Sequence, residues 1–283
     1  MKDLKHLIYF ESLLENANNE LVQKAQAEGN LALGYTCYHV PEALLNVGNC
    51  FSVRLRAPHT GSIDIATYYM SNYTCEFARA LVERGIEGGY QFLDAMIGVD
   101  ACSMMNRAME HFEILKVNDK PNFFVTHCDI PYKITDYTLD SYVKQMRIHV
   151  LDKLTEVYGV DTSDAAIRQA VAEHNEVCSI ISEMAEMRKA ENPVITGYEF
   201  HVINLVSYTC PKALILPYLR ETLKELKKRK PDEKSPFRAR VAIVGSEIDD
   251  PQLTKLIEGC GALVVSDRYC FGSTPGREVI ELK

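Results

Sequence analysis

Residues 31–55 read LALGYTCYHVPEALLNVGNCFSVRL and contain two short apolar runs joined by a polar connection. The runs at 31–35 and 50–55 have the length and composition of buried strands. Pro41 occupies a favourable position for the first turn of a helix, and Gly48 marks its end. This stretch therefore predicts a strand, a helix and a second strand, in that order.

The alternation of strand and helix continues to residue 126. The patterns predict helices over residues 4–28, 72–84 and 103–115, and the four predicted strands are 31–35, 50–55, 91–97 and 122–126. An alternating order of this kind favours an α/β fold, in which a parallel sheet is covered by helices on both faces.

The rest of the chain divides into two parts. Residues 136–235 carry helical patterns without a strand signal, and they end in a charged, proline-containing stretch. Beyond it, two strands at 240–244 and 262–265 enclose a helix that begins at Pro251. The sequence thus predicts an N-terminal α/β domain over 1–135, a helical connector over 136–235, and the start of a second α/β domain over 236–283. We expect this last domain to be incomplete, because two strands cannot bury their own faces.

Composition excludes several classes of protein. The chain has 283 residues, 47% of them hydrophobic, and a net charge of −8, which argues against a nucleic-acid-binding protein. The sequence lacks both an apolar run long enough to span a bilayer and the apolar stretch of a secretion signal, so we expect a cytoplasmic protein without membrane association. P-loop, dinucleotide-binding and serine-hydrolase motifs are also missing.

Nine cysteines raise the question of metal binding. Their odd number and the absence of a secretion signal argue against a disulfide framework, and the absence of CxxC argues against zinc ribbons. Cys37 follows the first predicted strand, while Cys75 and Cys102 begin the helices after the second and third. The carboxyl ends of parallel strands meet at one edge of a sheet, where α/β proteins place their sites. Thiolates at that edge indicate an iron–sulfur site; the alternative is three buried structural thiols.

These features together resemble a known family. The stretch 34–48 with its Tyr-x-Pro-Glu-like segment, the two helix-opening cysteines at Cys75 and Cys102, and the final strand-Gly-helix-Gly-Ala-strand unit closing on Asp-x-x-Cys-x-Gly at 267–272 are similar to subunits of 2-hydroxyacyl-CoA dehydratases and benzoyl-CoA reductases. The resemblance covers nearly the whole chain. Family subunits are longer, so the resemblance also implies that this chain is short at its C-terminal end.

The resemblance implies flavodoxin-like or Rossmann-like domains around a [4Fe–4S] cluster held by three cysteines. Cys75 and Cys102 match the first two ligands, and Cys270 is the candidate for the third; its alternative is an ordinary loop residue at a strand end. Cys37 matches the position beside the cluster and the substrate. His39, close to Cys37 in sequence, is a candidate to supply a proton or a hydrogen bond to the substrate, or else is a surface histidine.

The resemblance also implies an activity and partners. In the family, two homologous subunits form a heterodimer, and a separate ATP-hydrolysing iron–sulfur activator delivers one electron. The electron passes to the thioester of an acyl-CoA, giving a ketyl radical that eliminates water. The expected function is therefore the iron–sulfur subunit of a 2-hydroxyacyl-CoA dehydratase, a lyase. The alternatives are a benzoyl-CoA-reductase-type subunit, a non-catalytic electron-relay subunit, and a fragment unable to hold metal.

Overall fold

The computed structural model of the protein describes residues 3–232 and 237–282, which form two compact units. We call residues 22–171 the four-strand unit. Residues 3–21, 172–232 and 237–282 form the two-strand unit. The boundary predicted between residues 235 and 236 lies outside the described residues.

Strands alternate with helices from residue 31 to residue 146 and again from 239 to 268, while within the described residues 136–226 helices follow one another without a strand between them. The strands are β1 (Leu31–Tyr35), β2 (Cys50–Arg54), β3 (Ala95–Asp100), β4 (Phe124–Asp129), β5 (Ala239–Val244) and β6 (Ala262–Arg268). The α-helices are α1 (Leu7–Leu13), α2 (Glu20–Ala27), α3 (Asp64–Tyr69), α4 (Glu76–Ile86), α5 (Ser103–Ile114), α6 (Asp136–Met146), α7 (Lys153–Tyr158), α8 (Asp164–Met187), α9 (Gly197–Thr209), α10 (Lys212–Leu226) and α11 (Gln252–Gly259). A 3-10 helix covers Glu42–Asn46, and a π-helical segment, Arg147–Asp152, joins α6 to α7.

The sheet of the four-strand unit confirms the predicted α/β fold. Its strands are all parallel in the order β2-β1-β3-β4, so the chain leaves the central strand β1 for β2 and then crosses back to β3. Buried side chains of β1 and β3, including Leu33 and Ile97, pack on one face against Met146, Val150 and Leu154. Helices α4 and α5 connect β2 to β3 and β3 to β4, and right-handed crossovers place both on the opposite face.

Several predicted elements differ from the structure in their bounds. The single helix predicted over 4–28 is wrong: α1 and α2 are separate, because Asn19 ends the connection by accepting a hydrogen bond from the Leu21 amide at 3.1 Å. An asparagine in that position is a typical helix cap. Strands β3 and β4 lie further along the chain than the predicted 91–97 and 122–126, and α3 was not predicted.

A buried helix forms the centre of the two-strand unit. Every residue of α9 is buried, as expected for a helix that is apolar around most of its circumference. Thr196 and Glu199 form a reciprocal capping box at its start, with N–H to side-chain distances of 2.9 and 3.1 Å. Gly197 faces β6 so closely that a Cβ there would lie 2.5 Å from the Val264 Cβ. Strands β5 and β6 are parallel neighbours in this unit.

In the described parts of the chain, no helix has both the length and the apolar composition of a membrane-spanning segment.

Candidate functional site

The carboxyl edge of the four-strand sheet is the place where an α/β fold of this topology binds ligands. Strand order reverses between β1 and β3, since the chain leaves β1 in one direction and returns on its other side. A crevice opens at such a switch point because the following connections diverge to opposite faces. The loops after β1 and β3 border this crevice, and they carry Cys37 and Cys102 respectively.

Cys75 and Cys102 occupy equivalent positions on two helices of the same unit. Cys75 is the N-cap residue of α4 and Cys102 that of α5, and neither sulfur takes part in a capping hydrogen bond among the described residues. Their carbonyls start the helices by accepting hydrogen bonds from Arg79 N at 3.1 Å and Asn106 N at 2.9 Å. A helix N-terminus favours anionic groups, because its first amides are unpaired and its dipole is positive there. Both sulfurs therefore lie where a metal-bound thiolate is stabilised.

The two helices that carry these cysteines are direct neighbours. Gly85 of α4 faces Phe112 of α5 at a distance where an added Cβ would lie 3.4 Å from the ring. Gly98 of β3 likewise leaves room for α5, since a Cβ there would be 3.0 Å from the methyl carbon of Met109. Packed helices have axes roughly 8–10 Å apart. The contact between Gly85 and Phe112 joins the C-terminal turns of α4 and α5, and both helices begin at the carboxyl-edge end of the sheet, at Cys75 and Cys102.

A complete ligand set is nevertheless not assembled by these side chains. Within residues 3–232 and 237–282, three or more His, Cys, Asp or Glu side chains are nowhere grouped closely enough to hold a metal ion. Cys102 is exposed and Cys75 is half-buried. The assignment of Cys75 and Cys102 as cluster ligands therefore stays a prediction, supported by their shared position at two helix starts.

Cys37 and His39 lie in the loop that leaves β1. Cys37 is half-buried and packs against the apolar core of the four-strand unit. The His39 ring lies 4.2 Å from the Tyr38 ring between centroids, and its carbonyl accepts a hydrogen bond from the Tyr142 hydroxyl at 3.4 Å. His39 is exposed, and partial desolvation of its ring lowers its pKa, which favours the neutral imidazole. A neutral imidazole at this edge has the form that accepts a proton.

A buried polar network holds the segment between β1 and β2. Glu42 is 6% exposed, and its Oε1 accepts hydrogen bonds from the Tyr35 hydroxyl at 2.7 Å and the Ser52 hydroxyl at 3.2 Å. Asn46 Nδ2 donates to the carbonyl of Glu42 at 2.8 Å, and Arg54 Nε donates to a carbonyl of the same loop at 3.2 Å. These contacts fix both ends of the loop that carries Cys37. In the sequence, the only sign of this network is Glu42, the acidic residue directly after Pro41. No local pattern indicates that Glu42 is buried.

Cys270 belongs to the two-strand unit, where it follows β6. Its amide donates to the carbonyl of Ser246 at 2.8 Å, which joins the loops after β5 and β6. Asp267 lies three residues earlier and forms an ion pair of 2.8 Å with Arg188. The Asp267 carboxylate also accepts the Ser273 amide at 2.6 Å, closing the turn that contains Cys270. The turn is thus fixed on both sides of the half-buried thiol.

Comparison with known proteins gives a consistent set of matches. A family model described as 2-hydroxyglutaryl-CoA dehydratase, D-component, matches residues 37–282. The chain is 19% identical over 259 residues to the (R)-phenyllactyl-CoA dehydratase beta subunit of Clostridium sporogenes, covering 91% of this chain and 67% of the relative. It is 20% identical over 245 residues to a benzoyl-CoA reductase subunit of Thauera aromatica, covering 84% and 61%.

A third relative carries the name of the family itself. The chain is 21% identical over 208 residues to the beta subunit of (R)-2-hydroxyglutaryl-CoA dehydratase of Acidaminococcus fermentans, covering 73% of this chain and 54% of the relative. Across the three curated relatives, the chain therefore spans between 54% and 67% of their length.

Proposed function

The chain belongs to the family of 2-hydroxyglutaryl-CoA dehydratase D-components, and we propose that it is the iron–sulfur subunit of a 2-hydroxyacyl-CoA dehydratase. The observation that carries this proposal is the equivalent placement of Cys75 and Cys102 at the starts of two neighbouring helices. Two of the relatives are named as dehydratase beta subunits, which supports the same activity.

A [4Fe–4S] cluster fits the donor set of the four-strand unit in part. Cys75 and Cys102 would hold it through sulfurs that their helices do not use for capping. Cys270, in the other unit, is the candidate for a third ligand. Such a cluster would supply a single low-potential electron to the thioester of the substrate. Cysteine thiolates at helix N-termini suit this group, because the helix dipoles offset part of its negative charge.

The chain's own residues would bind the acyl group and handle its proton. Cys37 and His39 leave β1 at the switch point, beside the loop of Cys102, so a thioester in the crevice would lie against them. The lowered pKa of the exposed His39 favours its neutral form, which would accept a proton from the substrate, as elimination of water requires. The network around Glu42 would keep this loop in place while the substrate binds.

The decisive experiment measures iron and acid-labile sulfide per chain after anaerobic purification. We expect about four irons per wild-type chain, with strong loss in Cys75→Ala and in Cys102→Ala. Cys270→Ala tests the third ligand and should also lower the iron content. Cys260→Ala is the matched control, because Cys260 is exposed, as Cys102 is, but is not a proposed ligand. Wild-type protein that takes up no iron after reconstitution, or iron retained in both helix-cap variants, would refute the proposal.

A benzoyl-CoA-reductase-type subunit is the second candidate, favoured by the similarity to the Thauera aromatica protein. The two activities differ in the acceptor of the electron, which is a thioester carbonyl in one case and an aromatic ring in the other. Binding of 2-hydroxyacyl-CoA and benzoyl-CoA to the anaerobic protein separates them by which ester binds more tightly. A relay subunit would hold iron and bind neither ester.

The proposal includes two partners. The relatives are named as subunits, so we infer that a second homologous chain completes the enzyme as a heterodimer. An ATP-hydrolysing iron–sulfur activator would supply the electron, since this sequence has no P-loop of its own. Co-purification of the homologous chain, followed by sedimentation analysis, tests the first partner. Dependence of turnover on added activator and ATP tests the second.

A further inference from the structure

The connection from β3 to α5 is closed by a side-chain bridge that passes across Cys102. Asp100 is the last residue of β3, and Asn106 lies in the first turn and a half of α5. The side-chain amide of Asn106 donates to Oδ1 of Asp100. The bridge therefore joins the end of the strand to the start of the helix, and the helix cap Cys102 lies inside the loop it closes.

The backbone of the same loop is fixed as well. The Ala101 amide donates to the Val99 carbonyl at 2.9 Å, and the Asn106 amide donates to the Cys102 carbonyl at 2.9 Å. Cys102 itself has extended backbone angles, φ −141° and ψ 115°, as an N-cap residue requires. Together with the side-chain bridge, these bonds leave the Cys102 backbone little freedom on either side.

The amide of Asn106 is held in one orientation by its partner. A carboxylate only accepts hydrogen bonds, so Nδ2 must face Asp100 and Oδ1 must face away. In the described parts of the chain, this Oδ1 is buried and lacks a hydrogen-bond partner. Burying an unpaired acceptor costs free energy. The hydrogen bond from Nδ2 to Asp100 offsets this cost and so holds the Asn106 amide in its position.

The helix that carries Cys75 shows a parallel arrangement. Four residues after this cysteine, Arg79 Nη1 donates to the Thr67 hydroxyl at 3.0 Å, and Thr67 belongs to α3, the segment that leads into α4. Four residues after Cys102, Asn106 bonds back to Asp100 in the segment that leads into α5. Each capping cysteine is therefore followed, one turn later, by a side chain tied to the chain that enters the helix.

We propose that Asp100 and Asn106 are positioning residues. They hold the Cys102 sulfur exposed at the carboxyl edge, where it would act as a metal ligand. The N-cap of a helix is normally Ser, Thr, Asp or Asn, whose side chain folds back on the first turn. Cys102 makes no such capping bond. The hydrogen bond between Asn106 and Asp100 fixes the start of the helix instead. The inference rests on the proposed role of Cys102 as a cluster ligand.

Three variants test the bridge by exchanging its partners. Asn106→Asp places a second carboxylate opposite Asp100, beside Asp129, which pairs with Asp100 across the strands. Asp100→Asn is the milder, nearly isosteric variant: it removes the charge but keeps an oxygen that accepts from the Asn106 amide. The double variant D100N/N106D reverses donor and acceptor, so that an amide again donates to a carboxylate across Cys102. Restoration by the double variant distinguishes the bridge from a general loss of structure.

The first readout needs no metal. The alkylation rate of Cys102 in the apo protein is measured by peptide mass spectrometry, relative to exposed Cys260 as internal reference and buried Cys128 as folding control. We expect Asn106→Asp to change the Cys102 rate by about twofold or more, the lower range of coupling between residues in direct contact. Asp100→Asn keeps an oxygen that accepts from Asn106, so its effect should be smaller. The double variant should return the Cys102 rate to the wild-type value. An unchanged rate in Asn106→Asp, or a double variant without recovery, would overturn the bridge.

The second readout is iron per chain and the electron paramagnetic resonance spectrum after anaerobic loading. Iron content should fall in Asn106→Asp and recover in the double variant. If wild-type protein takes up no iron, the proposed function fails, while the alkylation rates still decide whether the bridge positions Cys102. If iron and spectrum are unaffected by variants that alter the alkylation rate, the bridge orders the loop but does not serve a metal, and the inference is overturned.

Discussion

The ion pair between Arg188 and Asp267 lies almost entirely out of water. Arg188 Nη1 is 2.8 Å from Asp267 Oδ2, and the side chains are 3% and 2% exposed. The guanidinium also donates to the Ser273 hydroxyl at 3.1 Å and lies 3.8 Å from the centroid of the Phe200 ring. Removing one charge leaves the other buried, since neither side chain reaches the surface. The substitution Asp267→Asn does this with little change in volume, and it keeps an oxygen for the Ser273 amide.

Loss of one partner from a buried pair destabilises a protein by about 3–5 kcal/mol. With a urea dependence of about 1–3 kcal/mol per molar, this corresponds to a midpoint lower by roughly 1–5 M. Adding Arg188→Met removes the stranded cation, so the double variant should be less destabilised than the sum of the two single variants. Glu176→Gln is the matched control. Its pair with Arg220, at 2.7 Å, is about half exposed, and we expect a loss of about 1 kcal/mol or less.

The assay must resolve the two units, because they need not unfold together. The sequence has no tryptophan, so circular dichroism reports the helices, and pulsed alkylation of buried cysteines reports each unit. Cys178 and Cys210 are fully buried in the two-strand unit, while Cys50 and Cys128 are buried in the other. Asp267→Asn should lower the urea midpoint for the first two thiols. A shift no larger than that of Glu176→Gln, or strictly additive single variants, would refute the reasoning.

Three further results are expected. Burial raises the pKa of the Cys50 thiol to about 12 and that of Cys128 to about 11, so the unfolded chain loses these protons first above pH 9. Each thiol then lowers the free energy of unfolding by up to about 1.4 kcal/mol per pH unit until the pH reaches its pKa in the folded protein. The urea midpoints should therefore decrease from pH 8 to pH 9.5 and again to pH 10.5. Gly197→Ala should destabilise the two-strand unit by about 1–3 kcal/mol, because its Cβ would lie 2.5 Å from the Val264 Cβ; an unchanged urea midpoint contradicts this. Leu154→Ala removes a fully buried side chain from the four-strand core and should cost about 2–5 kcal/mol, again measured by urea unfolding.

The sequence predicted the elements best where local signals were strong. Strand β1 was predicted with the bounds it has, because Leu31–Tyr35 is an apolar run following a glycine stop. Strand β3 was predicted too early, at 91–97. In the structure, Asp94 N and Oδ2 bond the backbone of Ala32, and regular pairing begins only at Ala95. Which residues of an apolar run enter the sheet is decided by the neighbouring strand, and a single run carries no record of its neighbour.

The candidate site was predicted only as far as chain position allows. The sequence indicated that Cys75 and Cys102 begin helices, and both are N-cap residues in the structure. It did not indicate the hydrogen bond from the Asn106 side chain to Asp100, on the other side of Cys102 in the chain. Asparagine and aspartate are usually exposed to solvent, and a polar stretch gives no sign that two of them pair. Nor did the sequence indicate the burial of Glu42, which lies in the 3-10 helix and whose partner Ser52 lies ten residues away on β2.

What the sequence determined by itself was the alternation of strands and helices, because hydrophobic period, glycine and proline act over a few neighbouring residues. Only the tertiary structure decided the strand order β2-β1-β3-β4, which brings the loops of Cys37 and Cys102 to one crevice. It also decided which charges are buried in pairs, as in Arg188 and Asp267, 79 positions apart by their residue numbers. Such partners meet through packing of distant segments, where burial and desolvation, not local propensity, set the free energy.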